Sequence, residues 1–260
     1  MLPPEEPVLR RAENHRVRIF TRTAETPFAG HPTIGTAFAL AHTGAIKAGT
    51  ARVVFGLGVG PTPLDLEWAN GTLAFAWMTQ LNPTFGKTVN DPAALAAAMG
   101  LGVGDVHPLK AGGQSTAGQE VNCGSNFFIV PLATRKAVDA AVLDRAKIDA
   151  VFAAASVQRR GIYIFSTERG ADDSTAYSRL LGTGGIEDPA TGSAAGPAVC
   201  FIARYGLVPA NRVGAIVFQQ GVLAGRPSRL HVKIAMGGES ITKVQVGGAS
   251  VVVGQGELSA

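Results

Sequence analysis

Only two of the 260 residues are cysteine, Cys123 and Cys200, and neither has a second cysteine or a histidine at metal-ligand spacing. A disulfide scaffold and a zinc site are therefore disfavoured, and a reducing compartment is expected. Charge is sparse as well, at 16% of residues, with 23 basic against 19 acidic side chains and a net charge of +4. No run of Lys or Arg exceeds two, so the basic excess is dispersed and no nucleic-acid patch is indicated. The longest stretches without a charged residue, 26–46 and 68–86, are broken by Pro27 and Pro32 and by Gly71, Asn82 and Pro83, so neither suits a membrane span. The opening Met-Leu-Pro-Pro-Glu-Glu lacks the basic and apolar segments of an export signal, which makes a cytoplasmic location the expectation. Walker-lysine, His-Glu-x-x-His and Gly-x-Ser-x-Gly motifs are missing too. The glycine clusters at 56–60 and 100–104 lack the third glycine of a dinucleotide fingerprint.

What remains is 46% hydrophobic with a mean hydropathy of +0.20, enough apolar material for one large domain or two smaller ones. The 33 glycines and 15 prolines imply frequent turns and short helices. Alternating β-type residues predict strands at 17–21, 51–55, 64–68 and 72–78, with Asn70-Gly71 as a hairpin turn. Residues 91–100 form a short capped helix with Asp91 at the N-cap, Pro92 behind it and Gly100 as the stop. Further on, strands are expected at 126–130, 162–165, 177–181, 213–218, 230–234, 244–246 and 250–253, and helices at 34–41, 137–155 and up to Tyr205.

The chain also carries an internal echo. Placing Gly35-Thr36-Ala37 on Gly192-Ser193-Ala194 sets His31-Pro32-Thr33 on Asp188-Pro189-Ala190, with a strand before and strands after each small-residue helix. Two homologous halves follow, each a sheet curled round one helix and related by a pseudo-twofold axis. A helix N-terminus offers unpaired N–H groups and the positive end of the peptide dipoles, so two of them facing one cleft would receive a carboxylate. Gly30, Gly35, Gly192 and Ser193 would admit a ligand close to the backbone. His31 and Asp188 are ionisable groups fit for proton transfer. Asp188-Pro189 equally fits an ordinary helix cap, and Ser193 and Thr36 equally fit close helix packing. Glu25 and Glu187 read as solvent-facing or strand-ending residues.

The segments Phe20-Thr21, Glu25-Thr26-Pro27-Phe28-Ala29-Gly30-His31-Pro32-Thr33-Ile34-Gly35, Glu187-Asp188-Pro189-Ala190-Thr191-Gly192-Ser193-Ala194 and Gln220-Gly221 through Gly225-Arg226-Pro227-Ser228 resemble the PhzF family of phenazine-biosynthesis-like proteins. The resemblance implies an α+β, diaminopimelate-epimerase-like fold: two pseudo-symmetric domains, here residues 1–108 and 109–260, the last strand returning to the first half. It also implies a cleft between the domains, a homodimer, and neither cofactor nor metal. The implied activity is isomerisation of a small cyclic or amino-acid-like carboxylate, of the trans-2,3-dihydro-3-hydroxyanthranilate type, in a biosynthetic process. His31 and Asp188 would then be catalytic, and Gly30, Thr191, Gly192 and Ser193 would bind the substrate. Thiol epimerases of this fold carry a cysteine in each half beside these motifs. Ala29 and Thr191 stand there in this chain, which disfavours a thiol racemase.

Family members ordinarily begin with a further N-terminal segment that bears the principal acid/base glutamate. Glu5 and Glu6, set in Pro-Pro-Glu-Glu-Pro, do not match it. The expectation is a start placed too late or a truncated form whose activity is in doubt, and the alternative function is a catalytically inactive binding protein of the same fold.

Overall fold

The computed structural model describes residues 14–21, 24–111, 114–158, 161–182, 187–209 and 211–256, so Glu5, Glu6 and the Gly112-Gly113 junction between the expected halves lie outside the described residues. The chain forms two compact units, Met1–Thr79 with Val246–Ala260, and Gln80–Gln245. The expected boundary at 108/109 falls inside the second unit.

The first unit contains β1 (Asn14–Arg16), the short hairpin β2 (Ile19–Phe20) and β3 (Glu25–Thr26), α1 (Gly30–His42), β4 (Arg52–Leu57), β5 (Gly60–Ala69) and β6 (Thr72–Gln80, whose last residue opens the second unit). Its sheet runs β1-β4-β5-β6. Strand β1 pairs parallel to β4, with α1 as the crossover between them, and β4-β5-β6 is an antiparallel meander. Asn70 and Gly71, at φ 51° and 77°, make the expected tight turn between β5 and β6, because such a turn needs positive φ at both central residues. The meander alternates buried and open positions. Its inward residues Val53, Phe55, Leu64, Leu66, Ala76 and Met78 pack against Ile34, Ala37, Phe38 and Leu40 of α1. Burying a Val, Leu, Ile, Phe or Met side chain fully stabilises the unit by about 1.5–3 kcal/mol.

The second unit contains β7 (Thr84–Val89), α2 (Pro92–Ala98), β8 (Leu109–Ala111), β9 (Gln114–Thr116), β10 (Gly118–Asn122), β11 (Asn126–Pro131), α3 (Arg135–Ala140), α4 (Arg145–Ala154), β12 (Ile162–Ser166), β13 (Ala176–Leu181), α5 (Gly192–Tyr205), β14 (Ile216–Gln220), β15 (Ser228–Gly237) and β16 (Ser240–Gly248, ending in the first unit). Its sheet runs β16-β15-β14-β13-β12-β11-β10-β7, and β13 pairs parallel to β14 across α5. Strand β7 belongs here because it pairs with β10, and α2 packs against α4. Asp91 caps α2 as expected, accepting the Ala94 amide, and Gly206 ends α5 at φ 61°.

Several sequence expectations are corrected. The helix expected at 137–155 is two helices, because Asp144 accepts the Ala146 and Lys147 amides and starts α4 afresh. Of the strand expected at 17–21 only Ile19–Phe20 is strand, as β2, while β1 lies ahead of it at Asn14–Arg16, and β7 and β10 are strands without a sequence expectation. The stretch 250–253 is not a strand: Val251, Val252 and Val253 are exposed.

Candidate functional site

Both helices that carry the echoed motifs begin differently from expectation, and the difference resets their alignment. Helix α1 starts at Gly30 with Ala29 as N-cap, so His31 lies in its first turn and Pro32 is its third residue rather than its first. Proline is tolerated there because the first four N–H groups of a helix have no partner within it. Helix α5 starts at Gly192 with Thr191 as N-cap, so Asp188 precedes the helix and is not its cap. Matching the two helix starts sets Glu25-Thr26-Pro27-Phe28-Ala29-Gly30-His31 on Glu187-Asp188-Pro189-Ala190-Thr191-Gly192-Ser193. His31 therefore corresponds to Ser193, not to Asp188.

The strands confirm this register. In each unit a strand leads to the motif, the helix crosses over, and a parallel strand follows: β1, α1, β4 in one and β13, α5, β14 in the other. A glycine directly after each returning strand lies against the motif proline. A Cβ on Gly58 would sit 2.7 Å from the Pro27 Cα, and one on Gly221 would sit 2.9 Å from the Pro189 Cα. The triplets Gly35-Thr36-Ala37 and Gly192-Ser193-Ala194, alike in sequence, are therefore not structurally equivalent. The rarer Glu-x-Pro-x-x-Gly spacing was the informative signal.

In the second unit, the Asp188 carboxylate is half-buried and held at both oxygens. Oδ1 accepts the Ala190 amide at 3.2 Å and Oδ2 accepts the Thr191 hydroxyl at 2.8 Å. Each oxygen retains further acceptor capacity for a ligand donor or a proton. Gln220, fully buried at the end of β14, fixes the turn from beneath. Its Nε2 donates to the Asp188 carbonyl at 2.7 Å and to Thr191 Oγ1 at 2.8 Å, and its Oε1 accepts the Thr191 amide at 3.2 Å and the Tyr163 hydroxyl at 3.2 Å. The Tyr163 phenol also contacts the Ser178 hydroxyl at 2.8 Å. Burial pushes its pKa far above the ordinary phenol value, the Ser178 hydrogen bond opposes that shift, and the Asp188 charge adds to it. Tyr163 thus stays a neutral hydrogen-bonding group.

Thr191 spends its hydroxyl on Asp188 and Gln220 and caps no helix amide. The Gly192 and Ser193 N–H groups have no acceptor among the described residues. They point a helix N-terminus at whatever lies ahead of it, with the half-buried Ser193 hydroxyl beside them. The helix start is pinned from behind by Gln80, whose Nε2 donates to the Gly192 carbonyl at 3.0 Å, and a side chain at Gly196 would collide with the Gln80 carboxamide. Pro197, inside α5, has no N–H to offer the Ser193 carbonyl.

Of the residues expected from sequence, Asp188, Thr191, Gly192 and Ser193 come together in the second unit. Gly30 and His31 come together at the start of α1 in the first, where Gly30 is buried and His31 exposed. The Thr33 and Thr36 hydroxyls bond the carbonyls of Ala29 and Pro32, so Thr36 serves the helix itself. Gln220 and Arg179 were missed as site residues. Gln220 was visible only as the start of Gln-Gly, and the Arg179 contact with Glu187 depends on strand direction. Cys123 and Cys200 lie apart from the motifs, fully buried, with sulfurs 3.9 Å apart. Their mutual hydrogen bond, then burial, raises the Cys123 thiol pKa far above the free-thiol range. No cluster of His, Cys, Asp or Glu able to hold a metal ion occurs among the described residues.

Two α+β units, each passing from a strand through a Glu-x-Pro-x-x-Gly turn into a helix, define a protein of the epimerase and isomerase fold class. A sequence profile of the phenazine biosynthesis-like protein family, PhzC-PhzF, matches residues 6–256, and the chain belongs to that family. It is 34% identical to the trans-2,3-dihydro-3-hydroxyanthranilate isomerase of Pseudomonas fluorescens, over 93% of this chain and 78% of that one. It is 30% identical to an uncharacterized isomerase of Mesorhizobium japonicum, over 99% of this chain and 83% of the relative. A PhzF-family phenazine biosynthesis protein of Bacillus anthracis shares the fold, with a TM-score of 0.73 at 21% identity, covering 90% of this chain and 76% of that structure.

Proposed function

We propose that this protein is an isomerase that moves a proton within a small carboxylate of the trans-2,3-dihydro-3-hydroxyanthranilate type by acid–base chemistry. In this reading Asp188 and His31 hold the substrate and tune the proton transfer. Gly30, Thr191, Gly192 and Ser193 receive its carboxylate or ring substituents through backbone N–H groups and the Ser193 hydroxyl. The observation that carries the proposal is the Asp188 carboxylate, fixed by Ala190 and Thr191 just ahead of an α5 N-terminus whose first two amides have no acceptor among the described residues. Open amides at the positive end of a helix suit an anionic group, and the adjoining carboxylate suits a substrate hydroxyl, amine or acidic C–H. The named isomerase among the relatives supports the choice of substrate.

The test is incubation with trans-2,3-dihydro-3-hydroxyanthranilate in heavy water, followed by ultraviolet absorbance and by proton NMR for deuterium entering the ring. It is run on the 260-residue chain and on a version extended by any in-frame upstream segment. Turnover is expected, falling by about 10²- to 10⁴-fold in Asp188→Asn, the usual contribution of a positioned acid or base. Binding without turnover in both versions would favour the non-catalytic alternative. Neither binding nor turnover would overturn the proposal.

A further inference from the structure

We propose that Arg179 and Glu187 are positioning residues for Asp188: the pair clamps the turn that carries the carboxylate to the end of α3. Arg179 rises from β13, and its guanidinium uses both edges. Nε and Nη2 donate to the Glu187 carboxylate at 3.0 and 2.9 Å, and Nη1 donates to the carbonyls of Val138, Asp139 and Ala141 at 2.8, 3.0 and 3.1 Å. Those carbonyls close the C-terminal end of α3, where backbone acceptors lack partners and a cation is favoured. One planar cation therefore joins a helix end to the residue adjoining Asp188. Lysine, a point donor on a flexible stem, could serve one of these sites at a time.

The structural repeat supports a positional role. Glu25 stands where Glu187 stands, and it too takes a two-pronged arginine, with Arg18 Nε and Nη2 at 2.9 and 2.7 Å. The same Glu-x-Pro-x-x-Gly turn thus carries an arginine on its glutamate in both units. The two pairs differ in shielding. Arg179 and Glu187 are 12% and 20% exposed, whereas Arg18 and Glu25 are 43% and 44% exposed, so water screens the first-unit pair far more. Arg179 is in addition anchored to three backbone carbonyls at the end of α3.

The kinetic arm of the test rests on the isomerase reading, and the structural arm does not. Hydrogen exchange at the Ala190 and Thr191 amides, which bond Asp188 Oδ1 and Gln220 Oε1, reports the turn directly. In Glu187→Gln, those two amides are expected to exchange roughly tenfold faster while amides of β11 and β14 keep their rates, because the opening is local. With trans-2,3-dihydro-3-hydroxyanthranilate as substrate, kcat should fall by about 10- to 100-fold with KM within about twofold, the signature of a misplaced reacting group rather than a lost binding contact. Arg179→Lys should reproduce both effects, and Glu187→Asp should recover part of each. Glu25→Gln, removing the screened pair, should change kcat by less than about threefold.

Wild-type exchange at Ala190 and Thr191 in Glu187→Gln would overturn the proposal, as would faster exchange spread over the whole unit. A raised KM with unchanged kcat would overturn it too, by making Glu187 a substrate contact. If the wild-type protein does not turn the substrate over, the isomerase reading fails while the exchange result still decides the clamp.

Discussion

Replacing Gln220 with leucine tests how the acidic turn is held, and the fold itself suggests the substitution. Leu57 occupies the matching place in the first unit, directly before the glycine that lies on the motif proline. The side chains are close in volume, so the Gln220→Leu change removes hydrogen bonds without opening a cavity. Four bonds disappear, but they do not count equally. The Tyr163 hydroxyl keeps Ser178, and the Thr191 hydroxyl keeps Asp188. The buried Thr191 amide loses its acceptor outright, and the Asp188 carbonyl, half-buried, loses a donor that water can partly replace. At about 1–3 kcal/mol for each buried polar group left unpaired, the loss should come to about 2–4 kcal/mol. For a chain of this size that lowers Tm by about 4–16 °C. Urea unfolding followed by tryptophan fluorescence and circular dichroism gives the free energy, provided the m-value is unchanged. A loss below about 1 kcal/mol would refute the reasoning, since it would mean that the turn closes without its buried amide. Gln220→Glu separates donors from shape. Its carboxyl keeps an acceptor for Thr191, but when ionised it has no hydrogen to give the Asp188 carbonyl, and it faces the Asp188 charge. Burial and that charge hold its folded-state pKa above the unfolded value. The variant should therefore be most stable in acid and lose stability as pH rises through the folded-state pKa.

Asp188→Asn should change stability by less than about 1 kcal/mol, because an amide oxygen can still accept from Ala190; lowered stability with untouched ligand affinity would reduce Asp188 to a structural role. His31→Ala, at an exposed position, should leave stability within about 0.5 kcal/mol of wild type while weakening ligand binding, and calorimetry with the substrate measures both. Asp172 is shifted below the ordinary carboxylate range: burial opposes the shift, and hydrogen bonds from Ser174 and Arg135 outweigh it. A depressed folded-state value means that its stabilisation is present above the unfolded pKa and fades as pH falls through the folded one. Acid unfolding of Asp172→Asn should lack that acid-side loss, seen as a flatter stability curve below about pH 4. An alkylating reagent should leave the native protein unmodified at Cys123 and Cys200, and rapid loss of ligand binding on alkylation would revive the two-thiol mechanism.

Those elements that announce themselves locally were readable from sequence. Asp91 and Pro92 mark α2, Asn70-Gly71 turns β5 into β6, and the apolar runs of β11 and β12 suit strands buried on both faces. Elements decided by tertiary partners were not. Gly118 through Asn122 has a glycine, a glutamine and a glutamate in five residues, yet it forms β10 between β11 and β7 because both neighbours supply ladder partners. Val251 to Val253 has strong β character and no partner strand among the described residues, and it stays exposed. The residues of the candidate site were readable by type, but their register was not. Pro32 and Pro189 both suit the first position of a helix, although one is the third residue of its helix and the other lies before it. Only the position of each helix start tells them apart.

Once the register is set by the helix starts, the two turns prove to be built on one plan and held with different firmness. Each has a glutamate gripped by arginine, a proline resting on a strand-end glycine, and a helix that begins at the third residue after the proline. In the first unit the strand-end residue is Leu57, which offers no hydrogen bond, and the arginine pair stands in water. In the second, Gln220 bonds the turn at three points and Arg179 ties it to α3. A proton-transfer group loses rate steeply with displacement. The unit with the firmer turn is the one that carries a carboxylate at the fourth position before the helix proper, where the first unit has Thr26. The double variant Gln220→Leu with Glu187→Gln puts a number on this difference. If the two restraints hold one turn in common, their effects on Ala190 and Thr191 exchange should be less than additive, since either loss already frees it. Additive effects would mean that the glutamine and the clamp hold separate things, and the firmness of the second turn would then need another cause.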